Sequence, residues 1–153
     1  MCVMGCKRFC GVLVSCSLLL AAFCVPAGAE STKEGNYSSL SMNNLENERV
    51  VVSDIQPRAT DKVDFSVSAK KIAVMDESFS LSPGETVTIN CYYSPSWADL
   101  DFGLIAPDGL FYYVNTNGGN INKTISVDEW GQYIFAVRNN SSVDVRVVGF
   151  VNY

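Results

Sequence analysis

Between Lys62 and the C-terminus, apolar and polar residues alternate along most of the chain. In one clear example, Val87, Ile89 and Cys91 alternate with threonine and asparagine. Successive side chains of a β-strand point to opposite faces, so this alternation predicts strands with one buried and one solvated face. No stretch has helical periodicity, and turn residues recur at the short intervals typical of all-β domains. The pattern therefore predicts an all-β domain over residues 61–153.

The alternating segments amount to about seven or eight short strands, as in sandwich and barrel folds. No helices are available to cover the apolar faces of these strands, so the faces must pack against each other. We therefore predict an antiparallel β-sandwich with jelly-roll-like connections. Its core is expected to contain most of the aromatic residues of the strands, namely Phe65, Phe79, Phe102, Tyr133 and Phe135.

The first 29 residues have the three parts of a secretory signal peptide. Two basic residues, Lys7 and Arg8, precede an apolar run from Gly11 to Val25, and Ala27-Gly28-Ala29 provides small residues for a signal peptidase. The run is shorter than the roughly 20 apolar residues that span a bilayer, which disfavours a membrane anchor. A lipoprotein signal with lipidated Cys24 is disfavoured because bulky Phe23 precedes that cysteine. The segment predicts a protein secreted to the extracellular space after cleavage following Ala29.

Residues 30–60 are rich in serine, asparagine and glutamate and have few large apolar side chains. Such a segment buries too little apolar surface to offset its ordering entropy, so we predict a disordered spacer or propeptide. Pro57-Arg58 marks its junction with the domain, and an exposed basic residue there is accessible to a protease. An uncut flexible tail is the alternative. Within this segment, residues 49–52 form either a short edge strand or part of the linker.

Cysteine, histidine and charge exclude several classes of function. Cys91 is the cysteine that remains after signal removal, so an intramolecular disulfide is excluded, and its place on a strand predicts a buried, unreactive thiol. The chain has no histidine, the commonest general base and zinc ligand, and we predict no catalytic residues and no cofactor. A net charge of −5 without basic runs disfavours binding to nucleic acid and, after signal cleavage, to membranes.

Two motifs resemble those of small secreted β-sandwich accessory domains of the bacterial pre-peptidase C-terminal type, and of GOLD domains. Asp101 and the Pro107-Asp108-Gly109 turn form a strand and hairpin, and Gly131-x-Tyr133 opens a later strand. The similarity runs from Phe79 to Val151. It implies a β-sandwich fold and little about function, since the chain lacks an attached protease and the membrane anchor typical of GOLD proteins. The junction at Pro57 and Arg58 is similar to spacers of exported Gram-positive proteins, which favours that source.

Exposed aromatic residues are the best candidates for a binding site. Two tyrosine pairs, Tyr92-Tyr93 and Tyr112-Tyr113, lie on predicted strands, so one ring of each pair must point away from the core. Trp97 and Trp130 lie in predicted turns. Exposed aromatic rings stack on sugars or on partner proteins, so a glycan or protein ligand is expected. The alternative is that both tryptophans close the ends of the sandwich. The selected ligand-binding candidates are Trp97, Trp130, Tyr93 and Tyr112.

Three aspartates, Asp99, Asp101 and Asp108, are candidate calcium ligands because calcium binds oxygen atoms, although their spacing does not match an EF-hand loop. Asp99 and Asp101 share one face of a strand, which also suits plain solvent exposure or a carboxylate-dependent hydrolase. Three hypotheses about function follow. The first is a secreted, non-enzymatic domain that binds an extracellular glycan or protein. The second is an accessory domain that pairs with a partner through a sheet edge. The third is the hydrolase.

Overall fold

The computed structural model describes residues 37–52 and 60–153. Within these ranges the chain forms eleven β-strands and two short 3-10 turns. The strands are β1 (Ser38–Ser41), β2 (Arg49–Val52), β3 (Thr60–Val67), β4 (Ile72–Met75), β5 (Phe79–Leu81), β6 (Thr86–Ser94), β7 (Leu100–Ile105), β8 (Leu110–Thr116), β9 (Asn120–Ser126), β10 (Gly131–Asn139) and β11 (Val145–Asn152). The 3-10 turns cover Met42–Asn44 and Glu46–Glu48, between β1 and β2. The described part of the chain contains no helix that could cross a membrane.

Two packed sheets form the fold, which confirms the predicted all-β sandwich. The larger sheet has seven strands in the order β1-β8-β7-β10-β4-β2, and β5 also pairs with β10. The smaller sheet has four strands in the order β3-β11-β6-β9. The strand pairs are antiparallel except β2 and β4, which run parallel. The sandwich has more strands than the seven or eight predicted, because β1, β2 and β5 are too short to show a clear alternation.

The core lies between the two sheets, where the alternating apolar residues meet. Phe102 and Phe135 of the larger sheet are fully buried, as are Ile89 and Val147 of the smaller sheet. Tyr133 is also buried, as predicted, whereas two other aromatic residues lie at the edge of the core. These are Phe65 and Phe79, which are half-buried. The ring of Phe79 stacks on the ring of Tyr153 with 4.0 Å between their centroids.

Residues 38–52, part of the segment that was predicted to be disordered, are ordered in the structure, whereas processing of residues 30–58 as a propeptide stays a prediction. In that segment β1 pairs with β8, and residues 49–52 form an edge strand beside β4. Met42 and Leu45 are buried on the outer face of the larger sheet, against Phe111 and other apolar residues. Main-chain pairing and two well-placed apolar side chains order a segment whose composition is otherwise polar. The domain therefore begins before residue 61.

Some sequence-based predictions lie outside the described residues. They are the signal peptide at residues 1–29, the polar residues 30–36, and the proposed processing junction within residues 53–59.

The hairpin between β7 and β8 matches its sequence-based prediction. Gly109 has φ of 77°, a left-handed conformation that glycine adopts without steric cost. The Asp108 carboxylate accepts a hydrogen bond from the Leu110 amide at 2.9 Å. This hairpin places the following strand so that Phe111 is fully buried under the segment that contains Met42.

Candidate functional site

The smaller sheet presents the most exposed aromatic strand residues of the described chain. Along β6, Val87, Ile89, Cys91 and Tyr93 point into the core, so Tyr92 points outward. Tyr92 is 67% exposed, whereas Tyr93 is only 5% exposed. The selection of Tyr93 as a ligand-binding residue is therefore wrong, because the alternation that buries Cys91 also buries Tyr93.

Tyr92 belongs to a cluster of three apolar side chains on the outer face of the smaller sheet, which we call the aromatic patch (Tyr92, Val148 and Phe150). Val148 lies directly opposite Tyr92 on the neighbouring strand β11. Phe150 lies two residues further along β11, on the same face and diagonal to Tyr92. Val148 is 37% exposed and Phe150 is 50% exposed. Diagonal neighbours on a sheet are within reach of aromatic side chains, so the three form one continuous surface.

Beside the aromatic patch, the outer face of the sheet carries hydroxyl and amide groups. Asn120 lies opposite Tyr92, and Asn122 lies opposite Asn90. One rung further, the hydroxyl groups of Thr88 and Thr124 are hydrogen-bonded to each other at 3.0 Å. The outward positions of β6 and β9 are uncharged throughout. They are Thr86, Thr88, Asn90, Tyr92 and Ser94 on β6, and Asn120, Asn122, Thr124 and Ser126 on β9.

Charged residues border the aromatic patch on its other side. Lys62 of β3 lies opposite Phe150, and Asp64 lies opposite Val148. The Arg146 guanidinium donates two hydrogen bonds to one Asp64 oxygen, at 2.9 and 3.0 Å, and one at 3.2 Å to the other. The charge of Asp64 is thus balanced by a bidentate partner. The patch is therefore bounded by charges on β3 and β11 and by neutral polar groups on β6 and β9.

Trp97 and Trp130 lie at opposite ends of the sandwich and do not share a site. Trp97 is exposed in the β6–β7 loop, whose residue Ser96 lies against Gly119 of the β8–β9 loop. Trp130 is exposed at the other end, beside Gly131, which packs against Pro107 of the β7–β8 hairpin. The two rings are exposed and do not close the ends of the sandwich as buried plugs.

Around Trp130, three loops of the described chain carry acidic residues and no basic ones. They are the β5–β6, β7–β8 and β9–β10 loops, with Glu85, Asp108, Asp128 and Glu129. Tyr112 is half-buried, and its hydroxyl donates a hydrogen bond to Asp108 at 2.6 Å. The two remaining ligand-binding candidates at this end, Trp130 and Tyr112, therefore lie in strongly acidic surroundings.

The three candidate calcium ligands are not brought together. Asp108 belongs to the β7–β8 hairpin at one end of the sandwich, while Asp99 and Asp101 lie at the other end. Asp99 and Asp101 share a partner, since the Asn115 amide donates to Asp99 at 2.5 Å and to Asp101 at 2.7 Å. Asp101 also accepts a hydrogen bond from the Asn140 amide at 2.8 Å. In the described residues, no group of three or more histidine, cysteine or acidic side chains could hold a metal.

Asp101 is part of a buried charged network on the outer face of the larger sheet. It is 2% exposed and lies 3.7 Å from the Arg138 guanidinium. Arg138 in turn lies 3.9 Å from Glu48, in the segment before β2. This network joins three strands to the N-terminal segment, so its carboxylate serves the fold and is not open to a substrate.

A cleft of about 580 Å³ opens between the two sheets beside β8 and β9. Its walls include Tyr37, Asn115, Lys123 and Thr124, and the Tyr37 hydroxyl bridges the sheets by donating to the Thr124 carbonyl at 3.0 Å. None of its lining residues is a carboxylate. The cleft therefore lacks the facing pair of acids that the hydrolase hypothesis requires.

Cys91 is buried in the core, as its sequence position predicted. Burial away from water raises the pKa of the Cys91 thiol from 9.0 to about 12, partly offset by a backbone hydrogen bond from Phe150. Because the thiolate is the nucleophilic form, this thiol is unreactive at neutral pH.

The selection of site residues from the sequence omitted Val148 and Phe150. The necessary signal was present, because Val145, Val147 and Val151 occupy the buried positions of β11 and leave these two residues outward. What the sequence does not state is that β11 pairs with β6 in the register that sets Val148 opposite Tyr92.

Comparison with known proteins assigns no family to this chain. No protein-family model and no curated protein matches it. A solved structure, that of the Aeromonas hydrophila protein PliG, a periplasmic lysozyme inhibitor of g-type lysozyme, is similar with a TM-score of 0.48. The two chains are 14% identical, and the similarity covers 69% of this chain and 96% of PliG. A similarity of this degree carries no functional assignment, so function is argued from the geometry alone.

Proposed function

We propose that this protein is a secreted, non-enzymatic domain that binds a macromolecular partner outside the cell through the outer face of its smaller sheet. The observation that carries the proposal is the aromatic patch. Tyr92, Val148 and Phe150 are adjacent, on two paired central strands of the sheet, and are exposed together. A rigid sheet holds them in fixed positions, so little conformational entropy is lost when a partner covers them.

The choice of residue types supports recognition over plain solvent exposure. Aromatic residues are enriched at the centres of binding surfaces, where a rim of polar residues surrounds them. Here Tyr92 and Phe150 have Asn90 beside them on β6 and charged residues on β3. The secretory part of the proposal rests on the signal-like sequence at residues 1–29.

A non-enzymatic role is supported by the state of the groups that chemistry would need. The Cys91 thiol is buried and protonated at neutral pH, and the chain has no histidine. The Asp101 carboxylate is already hydrogen-bonded to two amides and faces Arg138. Because the Cys91 thiol and the Asp101 carboxylate are buried within the fold, we attribute function to binding by exposed surface residues.

The test compares the protein purified from an export host with two variants on printed arrays of glycans and of purified extracellular proteins. The face variant replaces Tyr92 and Phe150 by serine, and the control variant replaces Trp97 and Trp130 by serine. We expect at least one ligand to be retained by the wild type and the control variant, and lost by the face variant. Retention of every ligand by the face variant, or no retention by the wild type on either array, would contradict the proposal.

A second candidate, pairing through a sheet edge, is favoured by one observation. The strand β2 forms an edge of the larger sheet, and its Val50 and Val51 side chains are exposed. Exposed apolar edge strands pair with other strands unless they are protected. A Val51→Lys variant would lose a partner bound at this edge and would keep one bound through Tyr92. The same arrays therefore separate the two candidates.

A further inference from the structure

We infer that the ligand of this face is an uncharged polysaccharide, whose successive sugars follow the strand direction and occupy two neighbouring rungs of β11, β6 and β9. The inference rests on the proposed function, because it names the ligand of the same surface. It is drawn from the groups beside the aromatic patch.

The outer face of the smaller sheet repeats one arrangement on two neighbouring rungs. The first rung places Val148, Tyr92 and Asn120 side by side across β11, β6 and β9. The second rung places Phe150, Asn90 and Asn122 side by side across the same strands. Each rung thus presents one aromatic ring and at least one amide.

The amide groups of Asn90, Asn120 and Asn122 are available to a ligand. The side chains of all three are exposed on the sheet surface. Among the described residues, no hydrogen bond engages any of their side-chain amides. An asparagine amide offers two donors and one acceptor, which matches a pair of neighbouring sugar hydroxyls.

The rings supply the apolar half of sugar recognition. Tyr92 and Phe150 expose ring surface on a flat face, where the C–H side of a sugar ring can stack. The two rungs are about 7 Å apart along the strands, because alternate residues of a strand are separated by that distance. A ring and an amide at each rung therefore suit two successive units of a chain better than a single sugar.

The absence of charge on the outer face of β6 and β9 selects between polymers, since Lys123 of β9 lines the cleft instead. None of the outward residues on these two strands is acidic or basic. An acidic polymer would find no cation on that face of β6 and β9 and would meet a protein whose net charge is −5. The cations of the sheet face lie beside the patch, where Arg146 is paired with Asp64 and Lys62 is next to Phe150. A basic polymer would find no carboxylate on these strands. A neutral chain loses no ionic hydration when it covers them.

The test is affinity electrophoresis of the purified full-length export product in gels that contain a dissolved polysaccharide. Laminarin, galactomannan, arabinoxylan and dextran are the neutral probes, and polygalacturonate is the acidic one. We expect at least one neutral probe to retard the protein and polygalacturonate to leave its mobility unchanged. For the retarding probe, Tyr92→Ala and Asn90→Ala should each weaken binding by tenfold or more. Asn43→Ala, an exposed amide on the other side of the sandwich, is the matched control.

Thermal melts of each variant are the check that the exposed substitutions leave the fold intact. Three results would overturn the inference: no retardation by any neutral probe, retardation by polygalacturonate alone, or unchanged binding in Asn90→Ala. If the arrays instead reveal an extracellular protein that the face variant loses, the proposed function stands and the polysaccharide inference fails. Loss of the neutral probe in Asn43→Ala but not in Asn90→Ala would place the ligand elsewhere and overturn both.

Discussion

Replacing Asp101 by alanine should destabilise the domain strongly, because it removes the acceptor at the centre of a buried network. In the folded protein, Asn115 and Asn140 donate hydrogen bonds to Asp101 at 2.7 and 2.8 Å, and Arg138 lies 3.7 Å away. Leaving one partner of a buried ion pair alone costs about 3–5 kcal/mol. The Arg138 side chain is 26% exposed and can still reach water, so we expect the lower end, about 3 kcal/mol.

This loss is measurable by urea denaturation followed by circular dichroism, with an unchanged denaturant slope. On thermal melting, a loss of this size corresponds to a fall of roughly 10 °C in Tm for a domain of this length. The matched control is Asp99→Ala, since exposed Asp99 accepts a hydrogen bond from the same Asn115 amide. The control should change stability by less than about 1 kcal/mol, as is usual for surface pairs.

A double variant distinguishes the effect of the Arg138 charge, which has lost its Asp101 partner, from a general packing effect. Replacing Arg138 by methionine as well keeps the aliphatic stem and removes the cation that Asp101→Ala leaves with Glu48 as its remaining acidic neighbour among the described residues. We therefore expect the double variant to be at least as stable as Asp101→Ala alone. The reasoning is refuted if Asp101→Ala costs less than about 1 kcal/mol, or if the double variant loses the sum of the two single losses.

Three further outcomes are expected from the core. The unfolded Cys91 thiol ionises near 9.0 and the folded one near 12, so stability should fall as pH rises through this interval. Urea titrations between these values should show a smaller fall for Cys91→Ala, and an equal fall would contradict the pKa shift. The buried Tyr93 hydroxyl has no hydrogen-bond partner among the described residues, so Tyr93→Phe should equal or exceed the wild type by up to about 1 kcal/mol in the same assay. If Tyr93→Phe were instead less stable than the wild type by more than about 1 kcal/mol, the hydroxyl would have a hydrogen-bond partner and the expectation would be wrong. A Cβ atom on Gly103 would lie 1.9 Å from the Tyr112 carbonyl oxygen, so Gly103→Ala should cost about 3 kcal/mol or more. Gly118→Ala, which meets no atom within 4 Å, is its control, and equal melting temperatures would contradict the clash.

The alternation of apolar and polar residues was sufficient to predict most of the fold. A half-buried strand shows this alternation whichever strands it pairs with. The alternation led to β3, β6 and β11 directly, and the Pro107-Asp108-Gly109 turn led to the hairpin between β7 and β8. The pattern failed for β1 and left β2 open between an edge strand and a linker, because the order of both comes from main-chain pairing with distant strands. Amino-acid composition does not reveal pairing between distant strands, so the polar segment at residues 38–52 was predicted to be a spacer.

The candidate site was predictable in part. Exposed aromatic residues were expected, and Tyr92 was one of the considered residues, but the choice of Tyr93 ignored the alternation that runs through Cys91. Val148 and Phe150 could have been placed outward from the same pattern. Their position beside Tyr92 depends on strand order, which the pattern leaves open. The resemblance to pre-peptidase C-terminal-type or GOLD domains and the Gram-positive source stay predictions.

The position of β11 in the smaller sheet has a consequence for how the protein is made. This strand is the latest in the chain among those described, yet it lies in the interior of its sheet, between β3 and β6. Its pairing joins Asn152 to Thr60, so that sheet closes only after its final strand has left the ribosome. Until then β3 and β6 have no strand between them, so the smaller sheet stays incomplete and its unpaired strand edges favour aggregation. That delay would suit the export proposed above, because an exported chain threads through a translocation channel before it folds.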